Sequence, residues 1–175
     1  MNVEMVNFHT IVFDFDGVFT DNHVFSDSTG NELIRCSKED SYALDLLKDY
    51  ITQRNKSLEI FVLSTETNQV VDMRCKKMGI KLFKSFKNKC EFMENWLAQN
   101  RAEHAMPFQG VVFFGNDMND FEVMKKCGLS FAPSDAHLRI KQISTFVLTR
   151  AGGEGFVREG VELLLGISRD LERTE

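Results

Sequence analysis

A chain of 175 residues with 43% hydrophobic and 27% charged side chains has the make-up of one folded domain and excludes long disordered stretches. Its net charge of -5, with lysines and arginines scattered along the chain, excludes the basic footprint of a nucleic-acid binder. No apolar stretch approaches the roughly 20 residues of a spanning helix, and the start, MNVEMVNFHT, has no cationic region followed by a long apolar one. The expectation is a single domain over residues 1–175, cytoplasmic, with neither nucleic acid nor membrane as partner. Cys36, Cys75, Cys90 and Cys127 are far apart and form no CxxC, so they read as reduced structural thiols.

Taken in chain order, TIVFDFD (10–16) reads as a buried strand, and HVFSDSTGNELIRCS (23–37) as a hairpin turning at Ser28-Thr29-Gly30-Asn31. The helical spacing of SYALDLLKDYI (41–51) brings Leu44, Leu47 and Ile51 to one side. LEIFVLS (58–64) is a second buried strand. In NQVVDMRCKKMG (68–79), Val70, Val71, Arg74, Cys75 and Met78 recur at three and four residues, and the helix stops at Gly79. IKLF (80–83) is a short strand, and KNKCEFMENWLAQN (87–100) a helix burying Cys90, Met93 and Leu97. GVVFFG (110–115) is a third fully buried strand, NDFEVMKKCG (119–128) a helix, LSF (129–131) and TFVL (145–148) short strands, and GEGFVREGVELLLG (153–166) a final helix. Strands alternating with helices predict an α/β fold: a doubly wound, mostly parallel sheet with helices on both faces. The hairpin, about 22–37, is the one insertion.

Ligands of such sheets bind beyond the carboxyl ends of the strands. Three polar clusters fall there: Asp14 and Asp16, Ser64 and Thr65, and GNDMND at 115–120. An Asp after a strand is also an ordinary cap or turn residue. Two carboxylates so close repel each other unless a cation lies between them or one is protonated. Oxygen donors without histidine or cysteine suit Mg²⁺. A calcium loop does not fit, because Val18, Phe19 and Thr20 follow Gly17 where further acidic ligands belong. Lys89, in the first turn of its helix, opposes the helix dipole, a small cost that a nearby anion offsets.

DFDGVFTD, then Ser64, then Lys89 in KNK, then GNDMND resemble, in order and spacing, the four motifs of the haloacid dehalogenase superfamily. TGNEL (29–33), VVDMRCKKMGI (70–80) and GGEGFVREGVELLLG (152–166) are similar to its capless sugar-acid phosphatases, the group that includes octulosonate 8-phosphate and nononate 9-phosphate phosphatases and the phosphatase-like domain of some acylneuraminate cytidylyltransferases. The resemblance implies that Asp14 attacks phosphorus and that Asp16 serves as acid, then base. It implies that Gly17, Ser64, Thr65 and Lys89 bind the phosphate, and that Asp14, Asp16, Asn116 and Asp117 hold Mg²⁺. The superfamily's fourth motif commonly begins Gly-Asp, whereas this chain has Gly115-Asn116-Asp117, so an amide replaces one carboxylate.

The spacing from Asp16 to Ser64 leaves no room for a cap, so the resemblance implies a homotetramer in which a neighbour closes the site. Residues 150–155, RAGGEG, read as a flexible tail able to fold over a ligand, with Arg150 and Arg158 as candidates for a substrate carboxylate. Arg74 is a further candidate on its helix. Glu66, at the rim, is matched by a glutamate in the nononate enzyme and by a basic residue in the octulosonate enzymes. This favours a nine-carbon 2-keto-3-deoxy sugar acid phosphate, with the octulosonate next. The alternative is a weakly active or inactive oligomerisation module beside a cytidylyltransferase.

Overall fold

The computed structural model describes Met5 and residues 8–167, so the ends of the expected 1–175 domain lie outside the described residues. Four short runs without a charged residue, Thr10–Phe13 (β1), Val111–Phe114 (β6), Leu129–Ala132 (β7) and Phe146–Val147 (β8), join Glu59–Leu63 (β4) and Lys81–Phe83 (β5) in one parallel sheet of order β5-β4-β1-β6-β7-β8. β1 is central, pairing Phe13 with Val62 of β4 on one side and with Phe114 of β6 on the other. Thr20–Ser26 (β2) and Glu32–Cys36 (β3) pair antiparallel as a separate hairpin.

Strand alternation divides the core into two layers. Phe13, Phe114, Phe131 and Phe146 occupy partnered positions on neighbouring strands, with successive ring centroids 4.7, 4.7 and 5.4 Å apart. This aromatic row packs beneath Leu44 and Leu47 of Lys38–Arg54 (α1), Val71 and Cys75 of Gln69–Met78 (α2), and Phe156 and Val161 of Phe156–Leu165 (α6). Val12, Phe61, Leu63 and Phe113 face the other way. They meet Met93, Trp96 and Leu97 of Lys89–Asn100 (α3), Val123 of Phe121–Lys126 (α4) and Ile140 of Leu138–Ile143 (α5). The doubly wound fold read from the sequence is the one observed.

Local differences have local causes. β1 stops at Phe13, not at residue 16, because the chain turns: the Phe19 N–H donates to the Phe15 carbonyl at 2.9 Å and Gly17 takes φ +77°. α1 begins three residues earlier than expected, where the Ser37 hydroxyl accepts from the Glu39 N–H at 3.0 Å. In α3 the buried set is Lys89, Met93, Trp96 and Leu97; Cys90, expected inside, is only half-buried. α5 was not anticipated. The four cysteines are free thiols. Among the described residues no helix is long and apolar enough to cross a membrane.

Candidate active site

The sequence places two aspartates after β1, and the turn that ends the strand brings both to one cavity. The Asp14 N–H donates to the Phe114 carbonyl at 2.8 Å, tying its backbone to β6, and the Phe15 N–H donates to Asp14 Oδ1 at 2.7 Å. Thr20 closes the turn: its Oγ1 accepts from the Gly17 N–H at 3.1 Å and donates to Asp16 Oδ1 at 3.5 Å. A side chain at position 17 would be strained by the positive φ and would put Cβ 1.9 Å from Asn116 Nδ2. Glycine is therefore what lets the first loop touch the fourth motif.

Lys89 enters from the first turn of α3, whose N-terminus is capped by Asn88 Oδ1 accepting from the Glu91 N–H at 3.1 Å. Its Nζ lies 2.6 Å from Asp14 Oδ1 and 2.7 Å from Asp120 Oδ1, with the lysine and Asp120 side chains wholly out of solvent. Asp120 Oδ2 accepts from the Asn116 N–H at 3.0 Å and the Asp117 N–H at 3.4 Å. The chain Asp14, Lys89, Asp120 and the 116–117 backbone is thus one buried network, in which every charge has an opposite neighbour. The dipole cost of a lysine at this helix end is offset by two carboxylates.

The electrostatics follow from burial. Desolvation, then the Asp120 carboxylate, pushes the Asp14 carboxyl up to about 8 against the pull of Lys89. Desolvation, then Glu66, raises Asp16 to about 6, with Lys89 opposing and Glu32 adding to the rise. Desolvation would lower Lys89, but Asp120 and Asp14 outweigh it and hold the ammonium above its ordinary value. Both fixed contacts of Asp14 fall on Oδ1, which leaves Oδ2 to the cavity that Asp14 lines.

That cavity, about 550 Å³, is lined by Asp14, Asp16, Thr65, Glu66, Asn116 and Asp117, and by hairpin residues including Glu32. Among the described residues no group of three or more His, Cys, Asp or Glu side chains is placed to hold a metal. A cation here would draw on the Asp14 carboxylate, on the backbone carbonyl of Asp16 and on an amide. Asn116 supplies that amide: it is buried, and its Oδ1 has no hydrogen-bond partner among the described residues. An orphaned carbonyl oxygen beside two carboxylates fits a hard divalent cation. Asp117 lines the cavity but is exposed, and its carboxylate caps the short 3₁₀ turn Met118–Asp120, accepting from the Met118 N–H at 2.7 Å.

The remaining candidates separate. Ser64 is buried, and its Oγ accepts from the Glu66 N–H at 3.0 Å, which leaves its own O–H to donate. Thr65 and Glu66 line the cavity. Arg74, Arg150 and Arg158 do not. Arg74 donates to the Ser37 carbonyl and Ser41 Oγ beside α1, and lines a different cavity. Arg158 pairs with Glu162 and lies over the Tyr42 ring, while the Arg150 backbone is held by Glu159. The Gly-rich tail is docked, not loose: the Gly153 N–H donates to the Val18 carbonyl at 3.0 Å, and the Gly152 N–H donates to Asp135 Oδ1 at 3.1 Å. A Cβ on Gly152 would fall 2.1 Å from the Gly17 carbonyl oxygen. The tail buttresses the first loop, so the expectation that it folds over a ligand is corrected.

Sequence reasoning assigned no task to Thr20 or Glu32, and took Asp120 only as part of the GNDMND cluster. Asp120's place four residues after Asn116 and Thr20's place four after Asp16 were the available signals, since each closes a turn on its own motif. Glu32 had none, because nothing in a hairpin's sequence says what it folds against.

A family model described as haloacid dehalogenase-like hydrolase matches residues 3–158. The 3-deoxy-D-manno-octulosonate 8-phosphate phosphatase KdsC of Escherichia coli K12 is 29% identical over 160 residues, covering 91% of this chain and 80% of that protein. The cobalt-bound form of the deoxy-D-mannose-octulosonate 8-phosphate phosphatase from Haemophilus influenzae superposes with a TM-score of 0.79 at 25% identity, covering 93% of this chain and 90% of that one. A Moraxella catarrhalis 3-deoxy-D-manno-octulosonate 8-phosphate phosphatase, in complex with magnesium, phosphate and KDO, gives 0.81 at 20% identity over 96% and 91% of the two chains, a likeness of fold. With a matching family model over most of its length, and with Asp14, Lys89 and the 115–120 loop joined at the sheet's carboxyl edge, the chain belongs to the haloacid dehalogenase-like hydrolases.

Proposed function

We propose that the protein is a Mg²⁺-dependent phosphomonoesterase acting on a 2-keto-3-deoxy sugar acid phosphate. The observation that carries this reading is Asp14: buried, held by Lys89 and the Phe15 N–H through Oδ1 alone, and lining a cavity it shares with Asp16. Asp14 attacks phosphorus in line, giving an aspartyl phosphate and expelling the sugar alkoxide. Asp16 delivers a proton to the leaving oxygen, then takes one from the water that hydrolyses the intermediate. Its elevated pKa suits the first role. Ser64, Thr65, the Gly17 loop and Lys89 hold the phosphoryl oxygens. Mg²⁺, which the Asp14 carboxylate, the Asp16 backbone carbonyl and the Asn116 amide would hold, would supply the positive charge that lets an anionic nucleophile approach a phosphate dianion. The oxygen-only donor set favours Mg²⁺, and the cobalt-bound Haemophilus relative supports a divalent cation here.

The curated relatives act on octulosonate 8-phosphate, which supports the sugar-acid class. Glu66 on the cavity wall favours the nine-carbon nononate within it. A buried, fully paired Asp14–Lys89–Asp120 network favours an enzyme over an inactive assembly module. Exposed Val24, Phe25 and Leu33 on the hairpin, at 54%, 63% and 69%, support an oligomer built through it, with homotetramer the state proposed. The test is phosphate release from nononate 9-phosphate, octulosonate 8-phosphate and a hexose 6-phosphate, with and without Mg²⁺. Release from the sugar acids that needs Mg²⁺, and is highest for the nononate, is expected. No release from any of them overturns the reading.

A further inference from the structure

Glu32 begins β3 and lines the cavity from the hairpin, while Glu66 lines it from the loop after β4. It is half-buried, yet among the described residues it has no cationic partner. Its Oε2 accepts from Asn68 Nδ2. Asn68 is itself fixed, because its Oδ1 accepts from the Val70 N–H at 3.0 Å as the cap of α2. Its Nδ2 holds the Glu32 carboxylate, whose Oε1 has no hydrogen-bond partner among the described residues. Asp16, the group that meets the leaving oxygen in that reading, lines the same cavity as both glutamates.

Val24, Ile34, Val70, Val71 and Met118 give this wall an apolar part, and its polar part has a consistent chemistry. Asn22, Ser26, Asn68 and Asn119 add amides and a hydroxyl, and among the described lining residues there is no lysine, arginine or histidine. Carboxylates with a free oxygen accept, and amides both donate and accept, which is the complement of a carbon chain bearing several hydroxyls. It is a poor complement to a second anion.

We propose that Glu32 is a specificity-determining residue, accepting hydrogen bonds from hydroxyls on the leaving group's sugar chain and directing any carboxylate of that group away from the hairpin wall. This rests on the phosphatase reading above. A charge-assisted hydrogen bond lost from such a site is worth on the order of tenfold or more in discrimination.

The experiment compares kcat/KM for octulosonate 8-phosphate or nononate 9-phosphate with that for 4-nitrophenyl phosphate, a monoester whose leaving group has no hydroxyl chain. Glu32→Ala is expected to lower the ratio of sugar to nitrophenyl ester by about tenfold or more, and Glu32→Gln, which keeps an acceptor, to restore a large part of it. Equal losses on both esters mean that Glu32 only supports the fold, and an unchanged ratio means that it only faces the cavity; either result overturns the inference while leaving the phosphatase reading intact. A wild-type protein that turns over neither ester overturns that reading, and the inference with it.

Discussion

Asn116 places an amide where a carboxylate would add a third negative charge beside Asp14 and Asp16. Its oxygen has no hydrogen-bond partner among the described residues, and its Nδ2 lies where a Cβ on Gly17 would have to go, so two loops approach closely at this side chain. An uncharged ligand binds a divalent cation less tightly than a charged one. Asn116→Asp is therefore expected to reduce the Mg²⁺ concentration for half-maximal phosphate release by on the order of tenfold, read from Mg²⁺ titrations of activity. A requirement that stays the same, or rises, would show that position 116 contributes no metal ligand. At this scale the sequence was readable where a motif names its own chemistry, as at Asp14, Asp16 and Lys89. It was not readable where the partner is distant: the Lys89 side chain meets Asp120, 31 positions away, only because α3 and the 115–120 loop converge.

The elements explain why the site is rigid. Residues 151–155 run across the first loop with backbone on backbone, and the N-terminus of α6 that follows is capped from another helix: Asp40 of α1 accepts from the Gly155 N–H at 3.2 Å and the Arg158 N–H at 3.0 Å. Gly152→Ala drives a methyl into the Gly17 carbonyl and has no flexible side chain to displace. It is expected to cost about 1–3 kcal/mol of stability, measured by urea unfolding. It is also expected to lower kcat, because the loop that must move carries Asp14 and Asp16. Loss of stability with kcat untouched would separate the tail from the site. Glycines in RAGGEG suggested freedom when read alone; the structure uses them for close approach. These elements were legible because each carries a clear pattern, four apolar or buried positions in a row in β1 and β6 and recurrent apolar residues in α2. α5 was not, since six residues with Ile140 alone buried carry no period.

For the whole molecule, proton and metal compete. Burial, then a neighbouring carboxylate, pushes the Asp14 and Asp16 carboxyls up to about 8 and about 6, above an ordinary unfolded carboxyl near 3.9. Between those values the metal-free folded chain keeps protons that the unfolded chain has released, so their contribution to stability is full below about 4 and is lost as pH rises through 6 and then 8. His9 works the other way. Burial, then the nearby His104 and Arg101, lowers its pKa, so its contribution is lost as pH falls below about 6.5. A divalent cation binds the ionised Asp14 carboxylate, and its stabilisation therefore grows with pH. Mg²⁺ is expected to raise the melting temperature by several degrees at pH 8 and by little at pH 5.5; comparing scans with and without metal at each pH removes the His9 contribution. An equal shift at both values would mean that the cation does not bind the Asp14 carboxylate.

The central claim is that Asp14 becomes covalently phosphorylated during turnover. Acid quenching of the protein mixed with Mg²⁺ and a sugar acid phosphate, followed by mass spectrometry of the peptide containing residues 10–16, tests it directly. The account expects a phosphoryl group on Asp14 that is absent from Asp14→Asn, together with loss of phosphate release in that variant. A phosphoryl group on another residue, or undiminished release by Asp14→Asn, would contradict it.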